Sequence, residues 1–426
     1  MAEFSAVIRQ YLEIKQANRE ALVFFRLGDF YELFFDDARL AADKLGLTLT
    51  SRDTGNGKSP MCGVPHHAAE GYILRLVDMG YRVALAEQVG EAKKGEILRR
   101  EVVRIYTPGT VISDTNCNAN YIATAFMDNK RGAIGLAYCD IATGDFLTTS
   151  FDNYSKFLDE LHKIAPVEIV INPNFDKANE IKHSIGLTPT VYITDAFNNA
   201  AASTKLKSHF GVKSLDGFGF ADTAAICAAG ALLQYLSDMQ ATTLAHITTI
   251  SPYAVTDYMV LDKNARRNLE LTESLRDKES VGSLLWVLDH TKTPMGKRLL
   301  HKWLLNPLLN INDIVCRHQA VTEFVADAAW LADIRNQLAS IPDLERLCAK
   351  INYRRVKLNN LAQLARAIAA LGEIKRLLAQ CESQLNSFFA ENMDDLRDCA
   401  EEIAQAIGDS QEFVSGYNGA LDDLDA

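Results

Sequence analysis

The sequence predicts a multidomain protein in which two α/β domains precede an all-α region. The first segment alternates short apolar runs with stretches of helical periodicity, which is typical of an α/β domain. A hairpin pattern followed by a helix and a further strand opens the second segment, and from about residue 255 onward the periodicity is helical. A chain of 426 residues is also long enough for roughly three domains, each with its own core.

The first predicted domain covers residues 1–112. An apolar run predicts a buried strand over residues 21–27, and apolar residues at helical spacing predict a helix over residues 30–45 that stops at Gly46. The remaining predicted elements are a short strand over residues 47–50, a polar loop over 51–60, a helix over 67–79 that is closed by Gly80, and strands over 82–88 and 101–106.

The second predicted domain covers residues 113–250. Its hairpin, helix and strand follow one another as in a ribonuclease-H-like α/β fold. The predicted elements are a hairpin over residues 132–151 with its turn at Thr143-Gly144, a helix over 154–164, a strand over 167–171 and a long Ala-rich helix over 221–236.

The third region, residues 251–426, is predicted to be helical. One helix is predicted to begin with Thr293 as its N-cap and Pro294 at its first position, and to stop at Asn306. Apolar residues at steps of three and four over residues 358–378 predict a long helix in the core of a bundle. The acidic, poorly periodic end of the chain predicts that this helical region is truncated within a larger architecture.

The net charge of -11 is concentrated near the carboxyl end of the chain. Residues 387–426 hold eleven acidic residues and one basic residue, so the rest of the chain is close to neutral. Residues 1–115 carry fifteen basic and sixteen acidic residues. A strong steering field for nucleic acid is therefore not expected, and any DNA binding should come from specific geometry with a modest electrostatic contribution.

Cysteine usage and hydropathy predict a cytoplasmic protein. The eight cysteines are scattered without a C-x-x-C pair, so neither a zinc site nor a disulfide framework is predicted. The pair His66-His67 has no further Cys or His at a matching spacing, and we expect it to have a structural or surface role. No apolar run approaches the roughly 18 residues of a membrane span, and the first residues lack the pattern of a signal peptide.

The most informative local feature is the segment Gly28-Asp29-Phe30-Tyr31-Glu32, which is predicted to lie on a strand-to-helix turn. Turns of this kind present side chains to partners. An aromatic ring that slides between stacked bases, beside a carboxylate that hydrogen-bonds a base edge, would suit the reading of distorted DNA. The same residues also fit a local role, in which Asp29 and Glu32 cap the helix and Phe30 packs inward.

Two other features are incomplete as catalytic motifs. Residues 55–59 imitate the end of a phosphate-binding loop, but Arg52 stands where that motif needs its first glycine, so a polar loop is predicted. Asp140 occupies a place where ribonuclease-H-like nucleases keep a metal-binding acid, but the other carboxylates of a two-metal site are not recognisable. A nuclease and a non-catalytic scaffold are therefore kept as alternative functions.

Several longer motifs occur in order along the chain. They are FFRLGDFYELF at residues 24–34, PMCGVPHH at 60–67, EQVG at 87–90, VRIYTPGT at 103–110, RRNLE at 266–270, LLWVLD at 284–289 and TPMGKRLL at 293–300. With these motifs the chain resembles the amino-terminal half of bacterial MutS DNA mismatch-recognition proteins over nearly its whole length. The Phe-x-Glu signature of that family falls on Phe30 and Glu32, which favours a recognition role for both.

The resemblance implies a mismatch-binding domain over residues 1–112, a connector over 113–250 and the start of the core and lever helices over 251–426. In the family a clamp and an ATPase domain follow, and neither is expected in this chain. We therefore expect no enzymatic activity from the chain itself, with ATP and Mg²⁺ bound only by the ATPase domain of full-length members. The family also forms homodimers and has a MutL-type repair partner, whereas this chain is expected to be mainly monomeric.

The resemblance further implies a function in DNA mismatch repair, with mispaired or unpaired bases in double-stranded DNA as the ligand. Phe30 would enter the minor groove, stack on the odd base and kink the duplex, while Glu32 would hydrogen-bond that base. The Glu32 carboxyl could accept as a carboxylate or donate if protonated, and the sequence leaves both open. Candidate phosphate contacts are Arg52, Arg104 and Lys58, and candidate groove-lining residues are Met61 and His66.

Overall fold

The computed structural model describes residues 4–90, 98–111, 118–240, 244–353 and 356–407. These residues form two compact units. The first unit runs to Pro252 and contains two β-sheets, and the second consists mainly of the helices from Tyr253 onward.

A mixed sheet forms the beginning of the first unit. Its six strands lie in the order β3-β4-β2-β1-β5-β6, with β1 and β5 parallel and the other neighbours antiparallel. The elements are α1 (Ala6–Ala17), β1 (Ala21–Leu27), β2 (Phe30–Phe34), α2 (Phe35–Leu45), β3 (Thr50–Asp53), β4 (Lys58–Pro65), α3 (Ala69–Asp78), β5 (Arg82–Val89) and β6 (Arg99–Tyr106).

Strand β1 is buried on both faces, which explains its continuous apolar run. Leu22 and Phe24 belong to the core cluster that includes residues of α2 and α3. Val23 and Phe25 belong to the cluster on the opposite face, where α1 packs. Alternate side chains of a strand point to opposite faces, so a strand covered on both sides must be apolar at every position. The predicted strand over residues 21–27 is confirmed.

The predicted helix over residues 30–45 is wrong in its first five residues, which form β2. Leu27 pairs with Phe30, so only Gly28 and Asp29 connect β1 to β2. Gly28 has a φ of 60°, which suits the first position of a two-residue hairpin loop. The chain therefore turns back along β1 as a second strand, and α2 begins only at Phe35.

The region between α2 and α3 also differs from its prediction. A strand was predicted over residues 47–50 and a loop over 51–60, whereas β3 and β4 form a hairpin over Thr50–Pro65. All four residues of β3 are exposed, so no apolar alternation marks this strand in the sequence. The later predictions are more accurate, because every end of α3, β5 and β6 lies within two residues of its predicted position.

The second sheet of the first unit has the order β11-β10-β7-β8-β9-β12. The predicted hairpin, the helix over residues 154–164 and the strand and Ala-rich helix after it are confirmed, but the central strand β7 was not predicted. The elements are β7 (Ile122–Asp128), β8 (Ala133–Cys139), β9 (Phe146–Phe151), α4 (Tyr154–Ile164), β10 (Glu168–Ile171), α5 (Ala178–Ile185), β11 (Thr190–Val191), α6 (Asn199–Phe210), α7 (Thr223–Met239) and β12 (Ser251–Pro252).

The second unit is helical, as predicted. Thr293 caps α10 by accepting a hydrogen bond from the Gly296 N–H at 3.0 Å, and the predicted helix over residues 358–378 is α14. Its helices are α8 (Lys263–Asn268), α9 (Leu284–Leu288), α10 (Pro294–Leu305), α11 (Ile311–Ala326), α12 (Ala328–Ala339), α13 (Leu344–Asn352), α14 (Leu358–Leu378), α15 (Gln384–Asn392) and α16 (Arg397–Ile407). Both α15 and α16 reach into the acidic stretch, whose residues 408–426 lie outside the described part of the chain.

A buried polar cluster joins the two sheets within the first unit. The Glu168 carboxylate on β10 accepts hydrogen bonds from Arg82 Nη2 at 3.0 Å and from the Tyr235 hydroxyl at 2.6 Å. It also accepts the Gly109 N–H at 3.3 Å. Burial and then the Glu168 charge raise the pKa of the Tyr235 hydroxyl, so this group stays a donor. Since Arg82 begins β5, the contact ties the first sheet to the second.

We predict that Glu168→Ala lowers the free energy of unfolding by about 3 kcal/mol, because the substitution leaves buried donors without their shared charged acceptor. Denaturant unfolding measures this loss. Glu180→Ala is the matched control, because Glu180 pairs with Lys177 in solvent and such pairs contribute at most about 1 kcal/mol. Equal stability of the two variants would contradict a structural role for the buried cluster.

Candidate nucleic-acid interface

The tip of the β1–β2 hairpin is held in place by hydrogen bonds from both sides. The Asp29 carbonyl accepts the His66 N–H at 2.9 Å, which fixes the tip to the end of β4. Arg26 Nε donates to the Gly28 carbonyl at 2.6 Å. The loop therefore has little freedom, and Phe30 follows it as the first residue of β2.

Strand alternation divides β2 between the core and the surface. Tyr31 and Leu33 are buried in the cluster beneath α2 and α3. The Tyr31 hydroxyl donates to Glu87 on β5, and burial followed by this bond raises its pKa, so it remains protonated. Phe30 and Glu32 therefore point to the opposite face, where 48% of Phe30 is exposed.

This geometry excludes the local role that the sequence left open for Phe30 and Glu32. Helix α2 begins at Phe35 with Phe34 as its N-cap residue, so neither Asp29 nor Glu32 is in a capping position. An exposed fraction of 48% likewise excludes inward packing of Phe30. The prediction of a strand-to-helix turn was wrong, but the prediction of an exposed aromatic beside a carboxylate is confirmed.

Arg52 lies on the same face of the sheet as Glu32. It pairs with Ser59 on β4, and its Nη1 donates a hydrogen bond to Glu32 Oε2. The Arg52 side chain is 44% exposed, whereas that of Glu32 is 14% exposed. The side chain predicted to meet a phosphate is therefore bonded to the predicted recognition carboxylate.

Gly63 places no side chain between Phe30 and Glu32. It pairs with Glu32 from β4, and a Cβ at Gly63 would lie 3.6 Å from Glu32 Cγ and 4.0 Å from Phe30 Cδ1. Its φ is not in the left-handed region, so the backbone does not demand glycine. No role was predicted for Gly63 from the sequence, although glycine inside a strand often marks a close approach by a ligand or another backbone.

Three other predicted residues lie on or near this hairpin region. Lys58 is exposed at the start of β4, where it pairs with Asp53. Met61 is half-buried against the cluster on the α1 side, so its environment is mainly that of packing. His66 is exposed directly after β4, and its ring contacts that of His67 edge to face at 5.8 Å.

Arg104 lies apart from this group, on the opposite edge strand β6. It is 9% exposed, and its guanidinium lies 4.4 Å from the centre of the Tyr106 ring. Its Nη2 donates to the Thr110 carbonyl at 3.3 Å. Because the Arg104 side chain is buried and bonded within the protein, the prediction that it contacts a phosphate is wrong, and its role is structural.

The incomplete catalytic motifs have structural explanations. Residues 55–59 form the β3–β4 turn and the start of β4, and no helix follows them as a phosphate-binding loop requires. Asp140 is buried and accepts the Asn120 N–H at 3.0 Å. Within the ranges that the structure describes, no group of three or more His, Cys, Asp or Glu residues could hold a metal ion. In the same ranges, no helix is long and apolar enough to span a membrane.

The order of domains matches one family along almost the whole chain. Models of that family match residues 5–115 as MutS domain I, 120–248 as MutS domain II and 264–423 as MutS domain III. The two mixed sheets followed by helices agree with this series of domains. The chain thus has the domain series of a MutS-type multidomain protein.

Relatives named DNA mismatch repair protein MutS support the same assignment. The protein of Lachnoclostridium phytofermentans is 41% identical over 96% of this chain and 45% of its own length. The proteins of Alkaliphilus oremlandii and Halothermothrix orenii are each 40% identical over 100% of this chain, and the matches cover 51% and 49% of their lengths. The chain belongs to the MutS family, and it spans about half the length of the curated relatives it matches.

Proposed function

We propose that this chain recognises mispaired or unpaired bases in double-stranded DNA and acts in DNA mismatch repair. The observation that carries the proposal is the exposed Phe30 ring at the fixed tip of a hairpin, with Glu32 on the same face. An exposed aromatic ring on a rigid element is available to stack on a ligand. The name of the relatives, DNA mismatch repair protein MutS, supports mismatched DNA as the ligand.

Recognition would depend on the ease with which the duplex deforms. A mispaired base stacks poorly, so a kink at that step costs less than at a matched step. Insertion of Phe30 from the minor groove costs a few kcal/mol of unstacking, which the ring offsets by stacking on the odd base. Because hydrogen bonds hold the tip to β4 and to Arg26, the tip would keep its position when the ring inserts into the duplex.

Glu32 would hydrogen-bond the base on which Phe30 stacks. The two side chains are two residues apart on one strand, so they lie about 7 Å apart along the same face. Gly63 adds no side chain between them, which would let the edge of the base approach both groups. Lys58 and His66 are exposed nearby and are candidates for contacts to the backbone or the groove.

Other activities of the family are proposed for longer members and not for this chain. No complete phosphate-binding loop occurs in its 426 residues, so we propose that ATP and Mg²⁺ bind in a region of the family outside this sequence. Assembly into homodimers and binding of a MutL-type partner are proposed for full-length proteins. The chain by itself is proposed to be mainly monomeric and without enzymatic activity.

We predict that Phe30→Ala abolishes the preference for a duplex with a G·T mismatch or one unpaired thymine over a matched duplex. Loss of base–aromatic stacking is worth roughly 1 to 3 kcal/mol. Fluorescence anisotropy titrations at low salt measure the preference. Met79→Ala is the matched control, because Met79 is 50% exposed in the same domain at the end of α3. Equal preference with and without the Phe30 ring would refute the proposed wedge.

We predict that Gly63→Val weakens mismatch binding without loss of thermal stability. Valine is favoured in strands and the backbone at Gly63 tolerates a side chain, but its methyl groups would fill the space beside Phe30 and Glu32. Ser51→Val adds a similar side chain to the opposite face of the neighbouring strand and should leave mismatch binding intact. Undiminished binding by Gly63→Val would show that no base enters this space.

A further inference from the structure

Arg52 and Glu32 meet across an intervening strand. Arg52 is on β3 and Glu32 is on β2, with β4 between them. On β4, Gly63 lies opposite Glu32 and Ser59 lies opposite Arg52, so the Arg52 side chain reaches Glu32 diagonally across β4. The bond from Arg52 Nη1 to Glu32 Oε2 is therefore built into the sheet, on the face that carries Phe30.

The chemistry of this pair restricts what Glu32 can offer a ligand. A guanidinium has only donors, so Arg52 bonds the Glu32 carboxyl as an acceptor. An ionised carboxylate has only acceptors, and the bond to Oε2 leaves Oε1 as an acceptor for a second partner. A base that meets Glu32 in this state must supply an N–H group.

We propose that Arg52 is a positioning residue that holds the Glu32 carboxylate as a hydrogen-bond acceptor and thereby selects bases with a ring N–H donor. This inference rests on the proposed function, and it assigns Arg52 a role different from the phosphate contact that the sequence suggested. Thymine has an N–H at ring position N3, whereas cytosine has an acceptor at the same position. The N4 amino group of cytosine lies on the major-groove edge, away from a carboxylate that approaches with Phe30 from the minor groove. The pair would therefore favour thymine over cytosine as the base that stacks on Phe30.

The exposure of the two side chains supports this division of roles. Glu32 is mostly covered, at 14% exposed, so its orientation depends on its neighbours. Arg52 is 44% exposed and uses one N–H in the bond to Glu32, so its remaining donors can still meet a phosphate. A phosphate contact alone would act on every duplex equally, because phosphates carry no sequence information. The positioning role depends on which base is present, so an experiment can distinguish it from a phosphate contact.

The test compares three duplexes that contain one unpaired thymine, one unpaired cytosine or no unpaired base. Dissociation constants are measured for the 426-residue chain and for its variants Arg52→Lys and Arg52→Gln by fluorescence anisotropy at low salt. Thermal unfolding of each variant is recorded as a control. Because Arg52 is exposed on an edge strand, its substitution is not expected to change the melting temperature. We expect Arg52→Gln to lower the thymine-to-cytosine preference about tenfold, since charge-assisted hydrogen bonds are about twice as strong as neutral ones.

Arg52→Lys is the conservative variant that tests whether a positive charge is enough to keep the thymine-to-cytosine preference. Arg52→Lys keeps a charged donor and should retain most of the preference, whereas a purely steric role of Arg52 would be lost in both variants. Lys58→Gln removes one positive charge from the neighbouring strand and should weaken all three duplexes by the same factor. In a Glu32→Gln background, Arg52→Gln should have no further effect on the preference, because Arg52 acts through Glu32.

Two failures can be told apart. Uniform weakening of all three duplexes by Arg52→Gln, with an unchanged thymine-to-cytosine preference, would overturn the positioning role and restore a simple phosphate contact. Equal binding of bulged and matched duplexes by the unsubstituted chain would instead reject the proposed function, and the inference about Arg52 would fall with it.

Discussion

The two-residue connection between β1 and β2 is the constraint on which the candidate site depends. Strand β1 cannot slide, because both of its faces are packed in separate core clusters. With Leu27 paired to Phe30, the alternation of β2 is fixed, and Phe30 and Glu32 must share the face opposite Tyr31. A shift of one residue in this pairing would move both recognition side chains into the core.

A buried polar group secures the base of the same hairpin. Asp37 on α2 accepts the Tyr11 hydroxyl at 2.8 Å and the Val23 N–H at 3.0 Å, and it pairs with Lys15 at 2.9 Å. These bonds connect α1, β1 and α2 at one point. The Tyr11 ring also packs edge to face with Phe25 at 5.7 Å. Satisfied polar networks of this kind fix a unique core arrangement, so the hairpin projects from a rigid base.

The fold could be predicted from the sequence wherever periodicity was long and regular. Strand β1 and helices α4, α10 and α14 lie at their predicted positions, because apolar spacing over a turn or more distinguishes strand from helix. Strand β2 was missed because it runs directly into α2, so that its residues were included in the helical spacing, and β3 was missed because it is exposed at every position. The bond between Arg52 and Glu32 joins residues twenty positions apart, and it depends on strand pairings that a single sequence does not specify. The exposed Phe30 was found because its motif carried a family signature.

The position of β3 at the edge of the first sheet has a consequence for how copies of this protein behave in solution. An edge strand presents unpaired backbone groups that can recruit a strand from another molecule and start aggregation. This edge is four residues long and carries opposite charges at Arg52 and Asp53, two features that discourage such pairing. An apolar replacement of Arg52 would thus do more than alter base selection. It would remove one of the charges that keep the sheet from growing.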